Sequence, residues 1–191
     1  MTMLLVPDQV ASIGQLGGDP LVPAGFQWPG CVSCDGPMTH IVQLGVDDRL
    51  LTVFQCENNP GMCADWEPFA GGNAAVLVTG ATVGQRAPGG VKCYPPIRVG
   101  VRQLAAPYEA LAETGNQSDA TVFAESVGQF GGTPYWIQAD ETPDCPSCSA
   151  GPMRFVAQFD PGPHEFNFGD YGTAYAFDCP TCNSAAWLWQ S

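Results

Sequence analysis

The chain has 191 residues, enough for one domain or for two small ones sharing a core, and its 45% hydrophobic content argues against a disordered chain. Only 13% of the residues are charged, and 19 acidic against 6 basic residues leave a formal net charge of −13. A chain of that sign repels phosphate backbones and anionic membrane surfaces and attracts basic partners, so neither nucleic acid nor membrane is an expected partner.

The first residues, Met1-Thr2-Met3-Leu4-Leu5-Val6-Pro7, lack the basic region and the apolar stretch of roughly 7–15 residues that mark a secretory signal. No apolar run reaches membrane-spanning length, so the expected compartment is the cytoplasm. With 23 Gly and 18 Pro interrupting the chain, short strands and turns are expected in place of long helices. Read in order, Thr39–Leu44 and Leu50–Gln55 predict strands, and Ala74–Thr79 is a short apolar run. A turn-rich stretch at Gly84–Pro96 leads to an alternating segment at Ile97–Leu104 and a short helix at Tyr108–Glu113. Strands follow at Arg154–Phe159 and Thr173–Asp178, and Ala186-Trp187-Leu188-Trp189 places both tryptophans on one strand face.

The chain repeats itself. Gly14-Gln15-Leu16-Gly17-Gly18-Asp19-Pro20 returns 114 residues later as Gly128-Gln129-Phe130-Gly131-Gly132-Thr133-Pro134. At the same offset Cys31-Val32-Ser33-Cys34 matches Cys145-Pro146-Ser147-Cys148. One inserted residue later, Gly36-Pro37-Met38 matches Gly151-Pro152-Met153, and Ile41-Val42-Gln43-Leu44 matches Val156-Ala157-Gln158-Phe159. Each copy ends in an aromatic residue and a second cysteine pair, Phe54-Gln55-Cys56 with Cys63 and Phe177-Asp178-Cys179 with Cys182. The predicted fold is therefore mainly β with little helix, an internally duplicated β-rich unit. Its expected divisions are a first repeat at 1–67, a connecting segment at 68–125 and a second repeat at 126–191. The two repeats carry the acidity, with charges of −7 and −6, while the connecting segment is neutral.

The cysteines point to metal. Nine of them fit a disulfide framework poorly, both because the number is odd and because the expected compartment is reducing. Zinc favours a tetrahedral thiolate shell, and a C-x-x-C turn aims two sulfurs at one ion. The second repeat offers Cys145, Cys148, Cys179 and Cys182, with 30 residues between the pairs. The first offers Cys31, Cys34, Cys56 and Cys63, its second pair widened around Asn58-Asn59-Pro60-Gly61. Two structural zinc ions in zinc-ribbon-like sites are expected, and each would staple a unit of about 55–65 residues, a size at which the hydrophobic core alone is marginal.

Cys93 has no counterpart in the other repeat and is read as a buried or incidental thiol, and His40 and His164 as packed or surface histidines. Four sulfurs fill the shell that a catalytic zinc leaves partly open, so no catalytic or cofactor-binding residues are expected. The cytidine-deaminase pattern contains P-C-x-x-C, but its H-x-E partner does not occur here. Nucleic-acid binding, common among zinc ribbons, is disfavoured because the two repeats hold two bases against fifteen acids.

Gly17-Gly18-x-Pro20, Trp28-Pro29-x-Cys31-x-x-Cys34, Pro37-Met38 with Gln43, and Phe54-Gln55-Cys56 together resemble the programmed cell death protein 2 family and its bacterial YwqG-like relatives. The echo in Gly131-Gly132-x-Pro134, Cys145-x-x-Cys148 and Pro152-Met153-Arg154-Phe155 with Gln158 strengthens the likeness, which covers both repeats and not the connecting segment. The resemblance implies a duplicated β-rich fold and, for eukaryotic members, a dedicated chaperone role for a basic small-subunit ribosomal protein; some bacterial relatives look like toxin-immunity proteins. The expected function is a non-catalytic, zinc-stabilised module that binds a basic protein client as chaperone or adaptor. An immunity protein against one toxin, or an enzyme of unrecognised type, are the alternatives.

Overall fold

The computed structural model describes residues 3–104, 106–114, 125–148, 151–162 and 164–191. It is mainly β. The first half holds β1 (Met3–Pro7), β2 (Gly14–Leu16), β3 (Leu21–Val22), β4 (Thr39–Val46), β5 (Arg49–Gln55) and β6 (Asn73–Val78). β7 (Val83–Gly84), β8 (Ile97–Gln103) and a short helix, α1 (Tyr108–Thr114), follow. β9 (Gly128–Phe130), β10 (Arg154–Phe159), β11 (Thr173–Asp178) and β12 (Ala185–Gln190) complete the chain.

Ten of these strands form one antiparallel sheet in the order β12-β11-β10-β9-β1-β8-β2-β4-β5-β6. Outward from the central β1–β8 pair the two sides carry the same sequence of partners. Their registers correspond as well: Gln15 faces Gln43 across β2–β4, and Gln129 faces Gln158 across β9–β10. The central pair is exchanged between the sides. β1, which precedes β2 in the chain, pairs with β9, while β8, which precedes β9, pairs with β2. The outermost strands, β6 and β12, come round to lie against each other, so the sheet wraps a common interior.

That wrapping explains a feature of the sequence. The inner face contributes Leu51, Val53, Ala174, Ala176 and Trp187 to one core shared by both halves. The residues between them point outward into two smaller cores, Phe54 into one and Tyr175, Phe177 and Leu188 into the other. Strands covered on both faces read as unbroken apolar runs instead of alternating ones. A bulge at the same place in β4 and β10, between His40 and Val42 and between Phe155 and Ala157, turns two consecutive residues inward on each side. Ile41-Val42 and Val156-Ala157 thereby all reach the shared core.

The repeated glycines and glutamines build the loops that carry the cysteine turns. Gly17, Gly18, Gly131 and Gly132 have φ of 61°, 66°, 66° and 81°, a region that a side chain disfavours. Gln43 accepts a hydrogen bond from the Leu21 amide at 2.9 Å, and its counterpart Gln158 accepts one from the Tyr135 amide at 2.9 Å. Gln15 donates to the Gly17 and Asp19 carbonyls and Gln129 to the Thr133 carbonyl, so each loop is pinned from inside the sheet. The opening glycine of each motif meets a separate demand, because a Cβ on Gly14 would lie 2.1 Å from the Gln43 carbonyl oxygen and one on Gly128 1.9 Å from that of Gln158. The substitution Gly128→Ala should therefore cost more than about 1–3 kcal/mol, the usual cost of overpacking, as measured by urea unfolding.

Asp160 closes the second-half network, accepting from Gln158 at 2.8 Å and from Thr173 at 3.3 Å. Burial pushes its carboxyl up to about 7. At this position the folded state thus binds more protons than the unfolded one between about pH 4 and pH 7, and the Asp160 charge costs stability as pH rises through that window. Asp160→Asn keeps the accepting oxygen without the charge. It should be the more stable form at pH 8 by on the order of 1–4 kcal/mol, with the gap closing near pH 4 in paired denaturant titrations.

Candidate metal centres

Each predicted set of cysteines converges. The sulfurs of Cys31, Cys34, Cys56 and Cys63 all lie within 4.8 Å of one another, as do those of Cys145, Cys148, Cys179 and Cys182. Every set is drawn from one half of the chain, three of its four members in the first half and two in the second being buried.

Local geometry accounts for the first pair in each centre. Cys31 opens a tight turn in which its amide donates to the Gly36 carbonyl at 2.9 Å and the Asp35 amide donates to the Cys31 carbonyl at 2.9 Å. Asp35 takes φ of 56° to complete it, and bridging between Gly30 and Pro37 closes the small hairpin. Around Cys145 the same frame recurs, with the Cys145 amide donating to Gly151 at 3.2 Å and a bridge between Asp144 and Pro152. The Met38 amide donates to the Pro29 carbonyl and the Met153 amide to that of Pro143, which seats both methionines in the apolar shell behind the sulfurs. The Pro-Met element of the motif is thus a packing feature of the cysteine turn.

The second pair in each centre comes from the end of a strand. Cys56 follows β5 directly, its amide held at 2.8 Å by the Gly72 carbonyl. Cys179 follows β11 in the same way, its amide held at 2.8 Å by the Ser184 carbonyl. The widened spacing before Cys63 leaves a loop that Asn58 fills, its amide nitrogen 3.4 Å from the Cys56 sulfur, 3.6 Å from the Cys34 sulfur and 3.2 Å from the Pro37 carbonyl. In the sequence Asn58 stands out only as part of the stretch that widens the second cysteine pair. Its role needed the fold, because Cys34 and Asn58 are 24 positions apart.

The separations suit a metal and not a disulfide. Sulfurs at the corners of a tetrahedron around an ion bonded at about 2.3 Å stand about 3.8 Å apart, whereas a disulfide requires about 2.05 Å. Cys34 and Cys56 are 3.7 Å apart, and Cys145–Cys182, Cys145–Cys148 and Cys148–Cys179 are each 3.5 Å. The backbone favours thiolate at the first pair in each set: the Gly36 amide brings Cys34 down to about 7, and the Ser147 amide brings Cys145 down to about 6. Burial pushes Cys63 up to about 12 and also raises Cys56, so ionising all four thiols of the first centre calls for a cation among them. Both centres can hold a metal ion.

The remaining candidates fall elsewhere. Cys93 is exposed and stands outside both sets, against the reading of a buried thiol. His40 is buried, with Nδ1 2.9 Å from the Gly18 carbonyl and its ring on Phe54. Burial lowers it to about 4, which keeps it neutral near pH 7. His164 sits 3.0 Å from the Asp160 carbonyl and likewise belongs to no cysteine set. Trp28 and Trp136 pack beside the first and second centres. Trp66 is 40% exposed. A contrast follows from these placements: Cys93→Ser should leave metal content and thermal stability unchanged, whereas Cys34→Ser should lower metal content by about one ion per chain, read by elemental analysis and calorimetry.

No helix among the described residues is long and apolar enough to cross a membrane. No protein-family model matches the chain. A 65-residue stretch, 34% of the chain, is 39% identical to the uncharacterized protein YpfL of Salmonella typhimurium strain LT2. The match spans 15% of that protein's length.

Proposed function

We propose that this chain is a non-catalytic binding module for a basic protein, chaperone or adaptor in kind, whose two cysteine centres each hold a structural zinc ion. The observation that carries the reading is the pair of four-sulfur sets. Four soft thiolates in a compact tetrahedral arrangement suit zinc, and they leave no coordination position for water or substrate. Each filled site carries a formal −2, which adds to the −13 of the side chains.

The surface then has the character that steers basic partners. Opposite charge raises encounter rates and sets register, and exposed aromatics such as Trp66 supply the buried part of a contact. The likeness of the Gly-Gly-x-Pro and Pro-Met motifs to the programmed cell death protein 2 and YwqG-like proteins supports a client of this class. Two measurements test the proposal. Elemental analysis of purified chain should return two zinc ions, and immobilised chain incubated with native-host lysate at low salt should retain one basic protein, released as salt rises. Zinc content below two, or retention of no basic protein, would overturn it.

A further inference from the structure

Beside the first cysteine centre a cavity of about 290 Å³ opens between the two halves. Asp65 and Glu57 line it from the first half, Glu165 and Trp189 from the second, with Tyr94 and Lys92 between. Asp65 is 5% exposed and held firmly, because its Oδ2 accepts from the Gln55 amide at 3.0 Å and from the Trp189 indole at 3.3 Å. Its other oxygen, Oδ1, is buried without a hydrogen-bond partner, whereas the buried Oε2 of Glu57 accepts no hydrogen bond and is matched by the Lys92 ammonium alone, 3.4 Å away. Buried carboxylate oxygens are costly when unmatched, and the natural complement is a cation that donates several hydrogen bonds at once.

The chain already shows what kind of group the site attracts. The Lys92 ammonium stands 4.3 Å from the centre of the Tyr94 ring and 3.4 Å from Oε2 of Glu57, while Tyr94 donates to the other Glu57 oxygen. The Lys92 ammonium also donates to the Tyr94 hydroxyl at 2.5 Å, and its side chain is 57% exposed, so a competing cation can approach it from solvent. One ammonium facing Glu57, Asp65 and Glu165 leaves the cavity net negative. A flat guanidinium presents five donors in a fixed fork and stacks on aromatic faces, so it serves two carboxylates and the Tyr94 and Trp189 rings better than an ammonium does.

We infer that this cavity is a receptor for a single arginine side chain of the bound partner, which displaces Lys92 and docks on Asp65 and Glu57. The inference rests on the client-binding reading and assigns it one contact point. Trp66 does not line the cavity but packs edge-on against Trp189 at 6.1 Å and is partly exposed.

The test uses the metal-loaded full chain titrated with N-acetyl-arginine amide, followed by tryptophan fluorescence and by NMR shifts. Saturable binding is expected, on the order of millimolar for so small a probe, with the neutral citrulline analogue at least about tenfold weaker. Free L-arginine should bind no better than the blocked amide, since the partner offers a side chain; binding of the free amino acid alone would overturn the assignment. Asp65→Asn, of unchanged shape and verified as folded by near-ultraviolet circular dichroism and metal content, should weaken the arginine probe about tenfold. Lys92→Ala should strengthen it several-fold by removing the competing ammonium. Equal binding of the citrulline analogue, or weaker binding by Lys92→Ala, would overturn the inference. If the chain retains a basic protein yet takes no arginine probe, the pocket assignment falls and the client reading stands. If it takes the probe yet retains no basic protein, the reverse holds.

Discussion

Removing metal from both cysteine centres is expected to abolish the cooperative unfolding transition at neutral pH, leaving a chain with little fixed near-ultraviolet signal. The magnitude follows from what the sulfurs organise. Structural zinc supplies roughly 10–16 kcal/mol of apparent binding energy, as much as the whole stability of a typical domain. Each outer core is built around its sulfurs: Cys31, Cys56 and Cys63 pack with Met38 and Phe54, and Cys145 and Cys179 with Met153, Tyr175 and Phe177. Without a cation, thiols held 3.5–3.7 Å apart gain nothing to offset their burial and the ordering of the loops that bear them. Chelator titration followed by circular dichroism, with re-addition of zinc, measures the effect, and a metal-free protein that melts cooperatively at the parent temperature would refute it. Acid should act in the same direction, because protons compete with metal for thiolate.

Asp178→Ala is expected to lower stability by about 3–5 kcal/mol, the usual cost of breaking a buried ion pair by removing one partner. Asp178 has no exposed side-chain surface and collects two guanidinium groups. Arg49, from the first half, donates to its Oδ2 at 2.7 Å, and Arg154 donates to Oδ2 at 2.7 Å and to Oδ1 at 2.8 Å. Arg154 also reaches Asp47 of the first half at 2.8 Å, and its guanidinium holds that carboxyl below the usual carboxylate range. Arg49 further donates to the carbonyl of Cys182 at 3.3 Å, so the same cluster that joins the halves braces a cysteine of the second centre. Losing Asp178 removes the carboxylate that Arg49 and Arg154 share, leaves Arg154 with Asp47 alone, and slackens the approach of Cys179, its neighbour in the chain. A double-mutant cycle of Arg49→Ala with Asp178→Ala, read by denaturant unfolding, should return a coupling energy of roughly 1–3 kcal/mol, and a value near zero would show the link to be energetically idle.

Much of the local structure was legible because its causes are local. The Cys-x-x-Cys turns, the Gly-Gly motifs at positive φ and the strands at Thr39–Val46, Arg49–Gln55, Arg154–Phe159 and Thr173–Asp178 follow from residue type and short-range spacing. So does the short helix at Tyr108–Thr114. Both tryptophans of β12 do share a face, with Trp187 sealed in the shared core and Trp189 packed at its edge. The repeat in the sequence added what one segment could not, since it assigned the wide Cys56–Cys63 pair by comparison with Cys179–Cys182.

The long-range arrangement had no such signal. Nothing in the spacing of Met3–Pro7 or Ile97–Gln103 announces that β1 sits beside β9 and β8 beside β2, because pairing partners are chosen by the free energy of the closed sheet and not by either strand alone. The lone basic residues Arg49 and Arg154 looked unremarkable until the wrapped sheet set both on Asp178. Asp65 gained its character in the same way, when β12 brought the Trp189 indole across to it from 124 residues away. By itself the sequence determined two four-cysteine turn systems on β-rich halves and a strongly acidic chain, since these depend on neighbours a few bonds apart and on composition. The tertiary structure alone decided the exchanged central strands, the ionic bridge between the halves and the acidic aromatic cavity, because each joins groups far apart in the chain that come within reach only when the sheet closes on itself.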